Sequence, residues 1–190
     1  MLRLRPRLMS ARLNHVDAVR RTGIMTILAA FDPHLAGTPP LGLALPASDI
    51  DVLCNAPDPL AFTAAVWTAF GDAPAFSIRQ WISGERAVIA TFDAEGWTFE
   101  LFASSRPVAE QAGWRHFIVE QRLLRLGGAG FRARVMAHRW AGLKTEPAFA
   151  AALGLKGDPY RLLLDLAHET EEQLREQLAR AGHGAPGGAT

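Results

Sequence analysis

Two aspartates interrupt an apolar run in the segment GTPPLGLALPASDIDVLC, residues 37–54. Side chains alternate between the two faces of a strand, so Asp49 and Asp51 should share one face while the apolar residues beside them point to the core. At a separation of about 6 Å and an effective dielectric constant of about 20, two carboxylates repel each other by about 3 kcal/mol. A divalent cation offsets this repulsion, and carboxylate oxygens are ligands that suit Mg²⁺ and Mn²⁺.

A third carboxylate stands in WTFELFA, where Glu100 is a lone acid between two apolar residues. If this strand pairs beside the strand of Asp49 and Asp51, three carboxylates can form a site for one or two metal ions. Each feature alone has a simpler interpretation. An Asp-x-Asp pair also occurs at solvated strand ends and in glycosyltransferase metal motifs, and a lone strand glutamate can simply face outward.

A possible phosphate-binding segment precedes the acids. Gly37 lets the backbone approach a ligand closely, and the Thr38 hydroxyl and neighbouring N–H groups can bind phosphate oxygens. Taken alone, Gly-Thr indicates only a turn.

Hydrophobic periodicity and turn residues divide the chain into helices and strands. They predict an α+β fold: a small mixed or antiparallel sheet that bears the acids, helices packed on one face, and a helical C-terminal part. The predicted elements are, in chain order, a helix over 17–31, a strand over 50–54, a helix over 60–70, strands over 75–82, 86–93 and 97–103, and helices over 110–127, 132–142, 145–154 and 157–182.

The composition favours a water-soluble protein of the cytoplasm. Apolar residues make up 49% of the chain and charged residues 21%, which indicates neither a disordered nor a fibrous protein. The net charge of +1 gives no general attraction to nucleic acid or anionic membrane. No apolar run approaches the roughly 18–20 residues of a membrane span. Cys54, the single cysteine, excludes an intramolecular disulfide and is expected to be a small core residue.

We expect one domain over residues 17–181, with a catalytic α/β core at 17–106 and a helical part at 107–181. Residues 1–16 carry four arginines and no acid. They could be a targeting sequence, a basic arm or a frayed terminus, and the last is favoured because an apolar signal-peptide core is missing. The glycine-rich tail at 182–190 is expected to be disordered.

The spacing of Gly-Thr, then Ser-Asp-Ile-Asp-Val, then Phe-Glu-Leu resembles the signature of the DNA polymerase β-like nucleotidyltransferase superfamily. Thr38 stands where serine is more familiar, and it keeps the hydroxyl. The resemblance extends to domain of unknown function 4269, a bacterial family regarded as nucleotidyltransferase-like. The segments that carry it within residues 37–166 are GTPPLGL, SDIDVLC, FELFASSRPVAEQAGWRHFIVEQRLL, GLKTEPAFA and GDPYRLLLDL.

The resemblance implies catalytic and metal-binding roles for three acids. Asp49 and Asp51 would hold the Mg²⁺ or Mn²⁺ ions that bridge a nucleoside triphosphate. Glu100 would complete the site and orient or deprotonate the attacking hydroxyl. The residues implied to bind the nucleotide phosphates are Gly37, Thr38 and Ser48.

Three polar residues of the C-terminal half are further candidates. Arg115, His116 and Lys144 could approach phosphate or the acceptor, and Arg115 and Lys144 are included in the predicted nucleotide site. The alternatives are a surface arginine, a hydrogen-bonded core histidine and a helix-end lysine. Core packing is expected of the tryptophans, any one of which could instead stack on a base: Trp67, Trp81, Trp97, Trp114 and Trp140.

The sequence thus predicts metal-dependent transfer of a nucleoside monophosphate from a nucleoside triphosphate to a hydroxyl of a small molecule, a protein or RNA. One alternative is a non-catalytic nucleotide-binding or regulatory module of the same fold, as in a toxin-antitoxin pair. Another is a Mn²⁺-dependent glycosyltransferase, which leaves Gly37, Thr38 and Glu100 without roles. No membrane partner is expected, and the oligomeric state stays open.

Overall fold

The computed structural model describes residues 12–82 and 86–183. The predictions for residues 1–11 and 184–190 lie outside these ranges. The described residues form two compact units: residues 12–35, 48–82 and 86–106 in the first, and residues 36–47 and 107–183 in the second. The expectation of a single domain over 17–181 stays a prediction.

A mixed sheet lies almost entirely in the first unit and confirms the predicted fold class. Its strand order is β1-β2-β5-β4-β3. β2 and β5 are parallel, and β5, β4 and β3 form the antiparallel meander that the turn signals predicted. β1 was not predicted, because three residues are too few for a periodic pattern. The strands are β1 His34–Ala36, β2 Ile50–Asn55, β3 Ser77–Trp81, β4 Ala87–Ala94 and β5 Trp97–Ser104.

One face of this sheet is apolar and packs against helices. Helix α4, Pro59–Phe70, contributes Phe70, which stacks on Phe92 of β4 with ring centroids 4.3 Å apart. Phe92 in turn stacks on Phe99 of β5 at 5.1 Å. Cys54 is fully buried on the same face, as expected, and burial, with Asp32 adding to it, raises the pKa of its thiol to about 12.

The predicted helix over 17–31 is wrong as one continuous element. The chain forms helix α1, His15–Thr22, then helix α2, Ile24–Ile27, then a short 3₁₀ helix, Ala29–Phe31. Gly23 separates α1 from α2 because its φ of 65° is left-handed and its N–H donates to Arg20, which closes α1. Apolar periodicity continues through this break and conceals it.

Helices form the second unit. They are α3 Thr38–Leu41, α5 Ala112–Trp140, α6 Thr145–Ala152, α7 Pro159–Leu166 and α8 Glu171–Arg180. Gly128, with φ 62° and ψ −158°, interrupts α5, which confirms the predicted separation of a helix ending at residue 127 from the next helix. The predicted single helix over 157–182 is wrong. Thr170 starts α8 with a reciprocal capping box to Gln173, so the chain ends one helix and begins another.

None of the helices within the described residues is long and apolar enough to cross a membrane.

Candidate active site

Asp49 and Asp51 share one face of the sheet at the start of β2. Asp49 directly precedes the strand and is exposed, and Asp51 is half-buried within it. Ile50 and Val52 alternate with the acids and are fully buried. The sequence pattern therefore predicted the orientation of this strand correctly: the apolar residues lie in the core and the carboxylates on the opposite face.

Glu100 lies beside Asp51 on the neighbouring strand. The parallel register of β2 and β5 pairs Asp51 with Glu100 and Ile50 with Phe99. Neighbouring strands are about 4.8 Å apart, and paired residues point to the same face. Phe99 is buried, so Glu100 projects on the carboxylate face with Asp51. The expected pairing of the two acid-bearing strands is present.

The surroundings of Glu100 and Asp49 disfavour the charged forms of these two carboxyls. Burial, followed by the charge of Asp49, raises the pKa of Glu100, and Arg79 partly opposes this. Partial burial also raises the pKa of Asp49, although that residue is exposed as a whole, and Arg12 opposes the effect. A proton or a cation would relieve the repulsion between Glu100 and Asp49, and the metal-binding role of the acids stays a prediction.

The donor chemistry of Asp49, Asp51 and Glu100 fits Mg²⁺ or Mn²⁺, because all three supply hard carboxylate oxygens from one sheet face. The side chains as they stand do not converge on a single point. Across residues 12–82 and 86–183, no three His, Cys, Asp or Glu side chains are grouped closely enough to hold a metal ion. Backbone register brings Asp51 and Glu100 onto neighbouring positions of one sheet face.

Arg12 joins the site, although sequence reasoning grouped it with the basic terminus. Its guanidinium donates a hydrogen bond to the Ser48 carbonyl and lies over the indole of Trp97, 3.2 Å from the ring centroid. Burial lowers the pKa of Arg12, whereas the nearby Asp49 carboxylate raises it. The Ser48 carbonyl thus has a protein partner, and the nucleotide-binding role of Ser48 stays a prediction.

Gly37 and Thr38 lie in the second unit. Gly37 directly follows β1 with φ 73° and ψ −165°, a backbone conformation that is essentially restricted to glycine. Thr38 is the first residue of the one-turn helix α3, is buried, and accepts the Leu43 N–H at its carbonyl. The segment is a tight glycine-led turn, and its phosphate-binding role stays a prediction.

Arg115, His116 and Lys144 also belong to the second unit. Arg115 contacts the His168 ring at 2.6 Å. His116 is buried, lies 2.9 Å from the Tyr160 carbonyl through Nε2, and matches the hydrogen-bonded core histidine that was the alternative interpretation. Lys144 is exposed at the N-cap of α6. The nucleotide-binding roles of Arg115 and Lys144, and the approach of His116 to phosphate or the acceptor, stay predictions.

Sequence reasoning missed Glu120, a buried acid of α5 that is only 4% exposed. Burial, followed by the charge of Glu146, raises the pKa of Glu120 well above its usual range, and Arg139 opposes this. Its position among the apolar residues of an amphipathic helix could have indicated from the sequence that Glu120 is buried. Its surroundings therefore favour the uncharged form of the Glu120 carboxyl.

A cavity of about 480 Å³ lies at the other end of the strands that carry the acids. Ser104 and Ala56, at the carboxyl ends of β5 and β2, line it together with Trp81 and Arg86. None of the described residues that line this cavity is a carboxylate, so it is distinct from the acid-bearing region.

Three of the tryptophans are not core residues. Trp81 is 47% exposed, and Trp67 and Trp140 are also exposed, so the expectation of core packing was wrong for these three. They lie on a strand end and on helix surfaces that other elements do not cover.

A family model described as Domain of unknown function (DUF4269) matches residues 17–166, which is most of the chain. The chain belongs to the DUF4269 family. No curated protein matches its sequence.

Solved structures resemble this DUF4269 chain at low sequence identity. One, described as the structure of a GLD-2/RNP-8 complex, gives a TM-score of 0.52 at 14% identity and covers 90% of this chain and 76% of that chain. A structure of Cid1, described with its RNA terminal uridylyl transferase activity, gives 0.49 at 14% identity, with coverages of 78% and 44%. A cytoplasmic RNA terminal U-transferase gives 0.45 at 17%, with coverages of 77% and 42%.

The DUF4269 chain thus spans less than half the length of the second and third of these proteins. The likeness to the first concerns the fold alone. The chain shares with that structure a fold of a mixed sheet with packed helices.

Proposed function

We propose that this DUF4269 chain is a metal-dependent nucleotidyltransferase that moves a nucleoside monophosphate from a nucleoside triphosphate to a hydroxyl acceptor. The observation that supports this most is the register of β2 and β5, which pairs Asp51 with Glu100 on the face that Asp49 also shares. The resemblance of the Gly-Thr, Ser-Asp-Ile-Asp-Val and Phe-Glu-Leu segments to the nucleotidyltransferase signature supports the same class of reaction.

In this proposal Asp49 and Asp51 hold Mg²⁺ or Mn²⁺, and Glu100 completes the ligand set. The metal ion, when bound, neutralises phosphate charge and favours attack at phosphorus. Glu100 orients the acceptor hydroxyl and accepts its proton as the oxygen bonds to the α-phosphorus. The bond between the α-phosphorus and the bridging oxygen breaks, and pyrophosphate leaves with the electron pair.

The test is incubation of the full chain with α-labelled nucleoside triphosphates, Mg²⁺ or Mn²⁺ and panels of small-molecule, protein and RNA acceptors. We expect metal-dependent transfer of label and release of pyrophosphate. Asp51→Asn should lower the rate at least about 100-fold, because a lost metal ligand removes several kcal/mol of transition-state stabilisation. The matched control is Asp72→Asn, an exposed acid in the turn after α4, which should retain wild-type activity.

Full activity of Asp51→Asn would overturn the assignment of the acids. Nucleotide binding without product from any acceptor would favour the non-catalytic regulatory module. Turnover of sugar nucleotides in place of nucleoside triphosphates would favour the glycosyltransferase.

A further inference from the structure

We propose that Arg12 is a positioning residue that fixes the peptide between Ser48 and Asp49 and thereby orients the Asp49 carboxylate. This rests on the proposed function, because Asp49 is a metal ligand only there. Arg12 itself contacts neither metal nor substrate in this account.

The hydrogen bond from Arg12 acts on the backbone of the predicted ligand. The acceptor is the Ser48 carbonyl, which belongs to the peptide unit whose nitrogen is that of Asp49. Asp49 is also the last residue before β2, so the strand ladder begins only at Ile50. A donor on the preceding carbonyl restrains the peptide that the ladder leaves outside the sheet.

Trp97 supports Arg12 in two ways. The guanidinium lies 3.2 Å from the ring centroid, within the range of a cation–π interaction, and Trp97 Nε1 donates to the Leu13 carbonyl at 2.8 Å. Trp97 is itself buried on β5, the strand of Glu100, with a relative exposure of 7%. Arg12 is therefore attached to the same strand that contributes a second predicted ligand.

The turn before Trp97 leaves space for this contact. A Cβ at Gly96 would lie 2.9 Å from the Arg12 Cα, so only glycine allows the backbone of the N-terminal segment to come so close. Gly96 also has a φ of 80°, which suits the two-residue turn between β4 and β5. The Ser48-Asp49 peptide is therefore held by the Arg12 guanidinium, which in turn is held by the Trp97 indole and by the turn at Gly96.

An electrostatic role and a positioning role of Arg12 predict opposite effects of its removal on metal affinity. If Arg12 acted through its charge alone, its removal would tighten binding of a divalent cation by relieving repulsion. If Arg12 positions Asp49, its removal loosens a ligand, and loss of a supporting contact of this kind lowers metal affinity by about 10- to 100-fold.

The experiment titrates Mn²⁺ into the full chain and measures free Mn²⁺ by electron paramagnetic resonance. Arg12→Gln should bind Mn²⁺ about 10- to 100-fold more weakly than the wild type. Arg12→Lys should lie between them, because an ammonium keeps the charge but loses the planar contact with the indole. Arg20→Gln, which removes an exposed arginine paired with Asp17, should match the wild type.

Equal or tighter Mn²⁺ binding by Arg12→Gln would overturn the proposal. Hydrogen exchange of a peptide spanning residues 47–52 gives a second readout that needs no metal. Exchange should be faster in Arg12→Gln and unchanged in Arg20→Gln, and equal exchange in Arg12→Gln and wild type would also overturn the proposal. Wild-type protein without any Mn²⁺ binding would instead contradict the proposed function, and the exchange result would still decide the role of Arg12.

Discussion

Glu100 occupies the middle of a polar row that crosses the sheet. The register pairs it with Asp51 of β2 on one side and Thr91 of β4 on the other, and Thr91 is paired with Ser77 of β3. The adjoining row contains buried residues, as Phe99 and Phe92 show. The carboxylates thus lie on a face that can offer oxygen ligands, while the opposite face supplies the rigid packing.

The raised pKa of Glu100 predicts how stability depends on pH without metal. Between the usual and the raised pKa, the folded chain binds more protons than the unfolded chain, so stability falls as pH rises through this window. Glu100→Gln removes that titration. The variant should therefore melt at a higher temperature than the wild type near pH 7 in EDTA, with an advantage that shrinks towards about pH 4.

Thermal unfolding followed by circular dichroism from pH 4 to pH 8 measures this effect. Gln keeps the size of the side chain, so packing is matched. A Glu100→Gln chain that is less stable than wild type by the same amount at every pH would contradict the electrostatic account. Excess Mg²⁺ with nucleotide should stabilise the wild type more than the variant.

Asp49 and Asp51 could be located from the sequence because the pattern that indicates them lies within a few consecutive residues. Asp49 and Asp51 alternate with apolar residues on a single strand, and alternation needs no knowledge of distant neighbours. The role of Arg12 could not be found this way. Its supporting contact joins Trp97 to Leu13, which are 84 positions apart, and neither residue type indicates such a contact.

At the scale of elements, helix α5 changes direction at Gly128, and the break crowds Gly127. A Cβ at Gly127 would lie 2.6 Å from the Phe131 Cβ, and Phe131 is fully buried. Gly127→Ala should therefore destabilise the protein by about 1–3 kcal/mol, because an extra methyl in a filled core forces neighbours to move.

Gly130→Ala is the matched control on the same helix. Gly130 is exposed, and a Cβ there would have no atom within 4 Å. Alanine should increase stability by up to about 1 kcal/mol, because it is the better helix former. Urea unfolding of both variants measures the difference, and equal stabilities would contradict the crowding at Gly127.

Element breaks were harder to predict than element types. The apolar stripe over 17–31 continues past Gly23, where a left-handed residue ends α1, and the charged stretch after Leu166 looks helical until Thr170 caps a new helix. Both breaks depend on backbone hydrogen bonds at one or two residues. Periodicity over a longer window averages such signals away.

At the scale of the molecule, the family match covers residues 17–166 and so includes parts of both units. The sequence predicted the mixed sheet because its strand runs, turns and helices follow in a recognisable order. It did not predict that residues 36–47, with Gly37 and Thr38, group with the later helices. That grouping depends on contacts such as the hydrogen bond from Arg132 to the Leu41 carbonyl, which are distant in sequence.

Binding of metal and nucleotide tests the central claim most directly, because it requires no knowledge of the acceptor. The measurement is a calorimetric titration of the full chain with a non-hydrolysable nucleoside triphosphate analogue, with and without Mn²⁺. We expect Mn²⁺-dependent binding by wild type and Asp72→Asn, and affinity at least about 100-fold weaker for Asp51→Asn. Binding that ignores Mn²⁺, or an Asp51→Asn affinity equal to wild type, would contradict the account.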